Sequence, residues 1–330
     1  MKPQALGQVL NERDDGRCPD GDSGTLRAPQ ATAQAVASLS PTPALRNRLS
    51  LLLFVATCLW FWEPLYELWL FALREESFSH IVLIPCISGY LLVVKRDSIL
   101  GSDQWSPALG LILLLIGALA HWSTGSQVWT PDHLATTIGT LVVLWWGIFL
   151  LSFGVTCFRQ NVFALVFLVL MVPLPTATLS ILVGFLQQSS AEAAAMCFAM
   201  LDIPVFRQGL VFHLSHLTIH VAEECSGIRS FLSLLVTGLL GGHWFLKLGW
   251  TKTVLVVLVV PLAIIKNAFR IVGLALLANY VDQTYVTNSL LHRAGGIPLF
   301  VLALVSMTGL VWVLRRCERR AVSRVGLASG

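Results

Sequence analysis

Eight apolar stretches constrain this chain more than any other feature: about 50–73, 79–94, 107–123, 134–155, 161–175, 227–246, 253–279 and 297–314. A helix that crosses a bilayer needs roughly 17–25 mostly apolar residues. The second, third and fifth stretches are the shortest. A soluble chain would carry about a quarter charged residues and just under half apolar ones. Here charged residues are 12% and apolar residues 55%, with a mean hydropathy of +0.74. Lipid is therefore the expected solvent. The expected fold is an all-α polytopic membrane protein with about eight transmembrane helices.

Two segments break the pattern. Residues 177–200 carry Gln187, Gln188, Ser189, Ser190 and Glu192 on an apolar background, which predicts a short amphipathic helix on the extracytoplasmic surface. Residues 203–222 hold Pro204, Gly209 and many β-branched or aromatic residues. They predict a β-hairpin-like segment rather than a span. Residues 1–45 are rich in Gly, Pro, Ala, Gln and charge, without apolar periodicity. They read as a disordered cytoplasmic tail, and residues 50–73 as a retained first span rather than a cleaved leader. The expected division is a tail over 1–45, a transmembrane domain over 46–316 and a basic cytoplasmic tail over 317–330.

Basic residues in short loops set orientation. With the N-terminus inside, the inside segments hold Arg46, Arg48, Lys95, Arg96, Arg159, Lys247, Lys252, Arg315, Arg316, Arg319 and Arg320. The outside segments hold Arg74, Arg207 and Arg293. Eleven against three is a clear bias, and it makes both termini cytoplasmic. The loop 176–226 then falls outside, with Cys225 at the outer end of the sixth span and His292 just before the eighth. Arg270 stands about eight residues below the outer end of the seventh, or roughly 12 Å at 1.5 Å per residue. A long arginine side chain reaches upward over most of that distance.

These three side chains bear the chemistry. In HVAEECSGIRSFLS, residues 220–233, a helix starting near Cys225 would pair Cys225 with Arg229 at i, i+4. Ser226, Ser230 and Ser233 would share a face. A cation and a helix N-terminus both favour the thiolate that a nucleophilic cysteine requires. The alternative is a small buried residue at a helix start, the reading given to Cys58, Cys86 and Cys157. In PLAIIKNAFRIVG, residues 261–273, Asn267 and Arg270 share a face. Arg270 could stabilise a developing oxyanion, or pair with Glu223 or Glu224, or snorkel to phosphate. His292, in NSLLHRAGGIPLF, can move a proton near neutral pH, ahead of a tight turn at Gly295 and Gly296.

Other chemistries fit less well. His213, His216 and His220 with Glu223 suggest metal ligands, but in an extended strand side chains alternate, so His213 would face away from the other two. No metal and no cofactor are expected. A disulfide between Cys197 and Cys225 would silence the nucleophile. The seven cysteines include no CxxC pair, so neither a zinc ribbon nor a dense disulfide framework follows. The signatures HExxH, GxSG and GxGD are missing. With a net charge of only +4 and no basic arm, nucleic acid is not an expected partner.

The motifs resemble those of the exosortases. VAEECSG at 221–227 with GIRS following resembles their cysteine motif, NAFRI at 267–271 their arginine motif, and His292 with Gly296 and Phe300 their histidine motif. FSHIVLIP at 78–85 is similar to their early Ser-His segment, and VPLP at 172–175 to the proline pair closing an earlier span. The resemblance runs over about 50–314, in the family's order. It implies an eight-span cysteine protease and transpeptidase of the bacterial inner membrane, its active site facing the periplasm. Cys225 would attack the peptide, Arg270 stabilise the oxyanion and His292 handle the proton. Glu223, Ser226, Gly227, Arg229 and Asn267 would support them. The implied substrates are secreted proteins ending in a sorting motif, a membrane span and a basic cluster (the PEP-CTERM type), often coupled to exopolysaccharide production. The 45-residue tail, the three histidines and Glu224 beside the cysteine depart from the family pattern. A second class of function stays open: a transporter or polysaccharide-export component using Arg270 and Lys266 as an anion path. Such a site belongs near the midplane between broken helices, whereas the polar cluster here lies toward one face and no inverted repeat is visible.

Overall fold

The structure is a computed structural model and describes residues 42–101, 106–125, 129–214, 218–221, 227–280 and 296–328. The chain divides into two units, Met1–Thr42 and Pro43–Gly330. All the elements below belong to the second.

The helices are α1 (Pro43–Trp60), α2 (Trp62–Arg74), α3 (Leu83–Val94), α4 (Arg96–Leu100), α5 (Pro107–Thr124), α6 (Pro131–Gln160), α7 (Val162–Phe167), α8 (Thr176–Met200), α9 (Ile228–Phe245), α10 (Gly249–Tyr280) and α11 (Gly296–Ala328). Two 3-10 segments, Glu76–Val82 and Leu168–Met171, lead into α3 and out of α7. Among the described residues, four helices are long and apolar enough to cross a bilayer: Ser77–Val94, Pro131–Gln160, Gly249–Ala278 and Gly296–Ala321. Two bent pairs raise the number to six. Ala44–Trp60 and Trp62–Arg74 meet at 66°, and Val162–Met171 and Thr176–Met200 at 92°. This is an all-α membrane protein.

The difference from eight stretches has physical causes. The first stretch is bent at Phe61. The third is a short apolar helix, Pro107–Ser123. The fifth stops being helical at Met171, before Pro173 and Pro175, because proline cannot supply the amide a continuing helix needs. The sixth, α9, carries Arg229, Ser230, Ser233, Thr237 and His243 in its 18 residues and falls short of the apolarity of a span.

α8 is not the short surface helix expected of its polar pattern. It runs 25 residues, with Gln187 and Ser190 buried and Ile181, Phe185, Met196 and Met200 exposed. Its burial is mixed: Gln187 and Ser190 lie inside beside Leu186, Ala191, Ala194 and Phe198, while Gln188 and Glu192 are exposed, so the helix does not divide into the polar outer and apolar inner faces of an interfacial helix. Asp132 on α6 accepts hydrogen bonds from the Thr176 amide (2.6 Å) and the Thr176 hydroxyl (2.7 Å). That satisfies an amide which Pro175, at the N-cap position, leaves without a local partner. The same device starts α10. Glu318 of α11 is buried and accepts from the amides of Lys247 (3.0 Å) and Leu248 (2.8 Å) and from the Thr251 hydroxyl (2.5 Å).

Between α8 and α9 lie three short strands: β1 (Phe206–Gln208), β2 (Val211–His213) and β3 (Thr218–His220), antiparallel in that order. Gly209 turns β1 into β2 with φ +62°, a left-handed conformation that glycine adopts without penalty. The sheet's inner face, through Phe212, joins Ala191, Ala194 and Phe198 of α8 and Ala268, Ile271, Val272 and Ala275 of α10 in one buried cluster. Arg207 fastens its edge. Its guanidinium lies 3.8 Å from Glu192 of α8 and donates to the Gly209 carbonyl at 2.8 Å.

Candidate active site

The site is built on an antiparallel hairpin. α9 has 18 residues before a three-residue turn at 246–248, and the eighteenth residue of α10 is Lys266. Counting out from the turn, Lys266 and Asn267 stand level with the start of α9. The packing agrees with this count. A β-carbon placed on Gly227 would lie 2.9 Å from Cγ and 3.0 Å from Oδ1 of Asn267. Asn267 is buried, at 1% exposure. Gly227 itself has φ +78° and ψ 11° and sits at the N-cap of α9. Glycine is thus required twice here, by the left-handed backbone and by the contact.

Ser230 reinforces this turn. Its hydroxyl donates to the Gly227 carbonyl (2.9 Å), which also accepts the first helical bond from the Phe231 amide (2.9 Å). The same hydroxyl accepts from Lys266 Nζ at 2.7 Å. Lys266 is buried, at 7% exposure. On the other side of the cysteine segment, Val221 is buried. Its amide donates to Leu210 O at 2.9 Å, and its carbonyl accepts from the Gln187 side chain of α8. Residues 221 and 227 therefore tie the two ends of the segment to α8, the sheet and α10.

Arg270 is half-buried, and its Nε has no hydrogen-bond partner among the described residues. It lies one residue before Ile271 of the buried cluster and on the same face of α10 as Asn267, three residues back. The expected upward reach of about 12 Å is not what unites the motifs. The start of α9 is already beside Asn267, one turn from Arg270.

Two further motif segments contribute to the buried cluster that includes the first turn of α9. Phe78 and Ile81 of the FSHIVLIP segment share a buried cluster with Ile228, Phe231 and Leu232 of α9, and Val172 and Leu174 of VPLP pack against it. His80, half-buried, lies 6.4 Å from the Phe78 ring.

Of the candidate residues, Gly227, Arg229, Asn267 and Arg270 are described. Cys225, Glu223, Ser226 and His292 lie outside the described residues, as do Glu224 and His216. The helical pairing of Cys225 with Arg229 needs correction. α9 begins at Ile228, and the left-handed Gly227 ends any helical register leading back to position 225. Arg229 is exposed, and its carbonyl accepts from Ser233 at 3.0 Å.

The histidines also need correction. His213 pairs with Thr218, and Val211 with His220. Directly paired residues point to the same side of a sheet, so His213 and His220 share one face, opposite Phe212. His213 Nδ1 lies 3.0 Å from Thr218 Oγ1, and its ring stacks near Phe206. Among the described residues, no group of three His, Cys, Asp or Glu side chains comes together as a metal site would require.

Gln187 has no part in the site as read from sequence, and neither the serine face that includes Ser230 nor the alternative anion path that includes Lys266 brings those two together. The hairpin count, which sets Lys266 opposite Ile228, was the signal that could have joined the last two.

No curated relative and no solved structure matches the chain. A family model described as transmembrane exosortase matches residues 69–309, well over half of the 330 residues and all of the motif segments above. The chain belongs to the transmembrane exosortase family.

Proposed function

We propose that this exosortase is a membrane-embedded cysteine protease and transpeptidase acting on the C-terminal sorting signals of secreted proteins. The observation that carries the reading is the packing of Gly227, from the cysteine motif, onto Asn267, from the arginine motif. Cys225 is two residues from Gly227, so covalent connectivity keeps its Cα within about 7 Å of that glycine's. Arg270 is one turn from Asn267, about 5 Å along the axis. The Gly227–Asn267 contact, with these short spacings on either side of it, supports bringing Cys225 and Arg270 into one site.

In this reading the Cys225 thiolate attacks the scissile carbonyl carbon. A C–S bond forms and the carbonyl oxygen takes the negative charge, which Arg270 stabilises. The C–N bond then breaks. The leaving amine takes a proton from His292, leaving a thioester on Cys225. An incoming amine or water attacks the thioester carbonyl and gives its proton to His292, the C–S bond breaks and the thiolate returns. Glu223, Ser226 and Arg229 frame the cysteine segment, and Gly227 and Asn267 fix its entry into α9.

The setting is the bacterial inner membrane, with both termini in the cytoplasm and the site facing the periplasm. The basic-residue bias supports it. Residues 1–45 and 317–330 are the cytoplasmic tails in this arrangement, although α11 runs unbroken to Ala328. The partners are the bilayer and secreted proteins carrying a sorting motif, a span and a basic cluster.

Arg270→Lys tests the reading. The substitution keeps the charge but loses the planar fork of donors. The expected result is a normally inserted protein whose processing falls about a hundredfold, as when one oxyanion donor is lost. Processing at the wild-type rate would reduce Arg270 to a structural role.

A further inference from the structure

We propose that Lys266 and Ser230 are a positioning pair for the cysteine segment: together they lock the left-handed turn at Gly227, and so fix how that segment meets Arg270. The inference rests on the cysteine-peptidase reading and gives a role to two residues outside the proposed catalytic and supporting set.

The geometry is a chain of directed bonds. Lys266 Nζ donates to Ser230 Oγ at 2.7 Å. Ser230 Oγ, having one hydrogen, donates it to the Gly227 carbonyl at 2.9 Å. That carbonyl belongs to the residue whose missing β-carbon would sit 2.9 Å from Asn267. Lys266 and Asn267 are adjacent on α10, so both ends of the arrangement are anchored on the helix that carries Arg270. A change in the turn changes the direction in which the chain runs back toward Cys225.

The arrangement is a poor way to stabilise a fold. An ammonium inside a membrane-embedded helix is costly to bury. Among the described residues no carboxylate lies within ion-pair distance of Lys266, and its bond is to a neutral hydroxyl. Replacing buried charges with apolar side chains of similar volume is often neutral or stabilising. A purely structural Lys266 would therefore be dispensable, and methionine has nearly its length without its charge. Lysine also suits the geometry, with one compact head and three donors on a flexible stem.

The test uses the full-length protein in lipid nanodiscs. Its substrate is a secreted protein ending in a sorting segment, a span and a basic cluster, encoded in the same genome. The variants are Lys266→Met, Ser230→Ala, both together, Ser230→Thr and Cys225→Ala. Expected are a thermal midpoint in Lys266→Met at or above wild type, kcat down about tenfold in each of Lys266→Met and Ser230→Ala as befits loss of a charge-assisted bond, and little change in KM. The double variant should be no slower than either single variant, because the two residues act in series. Ser230→Thr keeps the hydroxyl and should keep the rate. Wild-type kcat in Lys266→Met, or a loss that follows a fall in thermal midpoint, overturns the proposal. If Cys225→Ala is inactive while Lys266→Met is normal, this inference alone fails. If Cys225→Ala still processes substrate, the peptidase reading fails and takes the inference with it.

Discussion

Gly227 shows at the scale of one residue how sequence becomes site. Its φ of +78° costs a residue with a β-carbon about 1–2 kcal/mol. The Asn267 contact at 2.9 Å adds a clash with a buried neighbour. Gly227→Ala should therefore leave the protein inserted but shift the turn, with processing reduced by about tenfold or more if 1.4 kcal/mol or more reaches the transition state. Gly241→Ala is the matched control, since a β-carbon there meets nothing within 4 Å and alanine favours a helix interior. Substrate processing in membranes from the two variants separates the cases. Equal, normal rates would show that the turn at Gly227 does not matter. The sequence marked Gly227 and Asn267 as members of different motifs, but their contact is tertiary. Each stretch reads locally as an unremarkable glycine or asparagine, and only the pairing of α9 with α10 gives them a shared purpose.

Among elements, legibility followed the strength of the periodic signal. The long apolar helices α6, α10 and α11 were readable because their length and hydropathy leave few alternatives. The extended character of 203–222 was readable from Gly209, Pro204 and the β-branched residues. α8 was not, because the polar residues that a helix buries, here Gln187 and Ser190, look in sequence like those that it exposes, here Gln188 and Glu192. Periodicity tells which face is polar, but not whether that face meets water or a buried partner such as the Val221 carbonyl. The helix starts were also hidden. Asp132 and Glu318 cap α8 and α10 from 44 and about 70 residues away in sequence, so no local capping pattern could announce them. The parity of His213 and His220 failed for a similar reason. Alternation holds within a strand but resets across the turn into β3.

For the whole molecule, the family and the membrane setting were legible from five ordered motifs and from hydropathy. The number of crossings was less so, because bends and prolines divide apolar stretches that the sequence shows as continuous. The positive-inside bias supplies a sidedness that can be measured. A reporter active only in the periplasm should be active when fused after residue 200 and silent when fused after residue 248. The reverse pattern would move the site to the cytoplasm. Sidedness alone does not establish chemistry, and the central claim is that one thiol breaks the substrate's backbone. In cells carrying Cys225→Ala, the mass of a secreted substrate with a C-terminal span reports this directly. Cys58→Ala, in α1 and away from the motifs, is the control and should yield the mature, shortened form. The account predicts that Cys225→Ala inserts normally and leaves the substrate at full mass, its span and basic cluster still attached. Mature substrate in those cells, with no other peptidase present to produce it, would contradict the account.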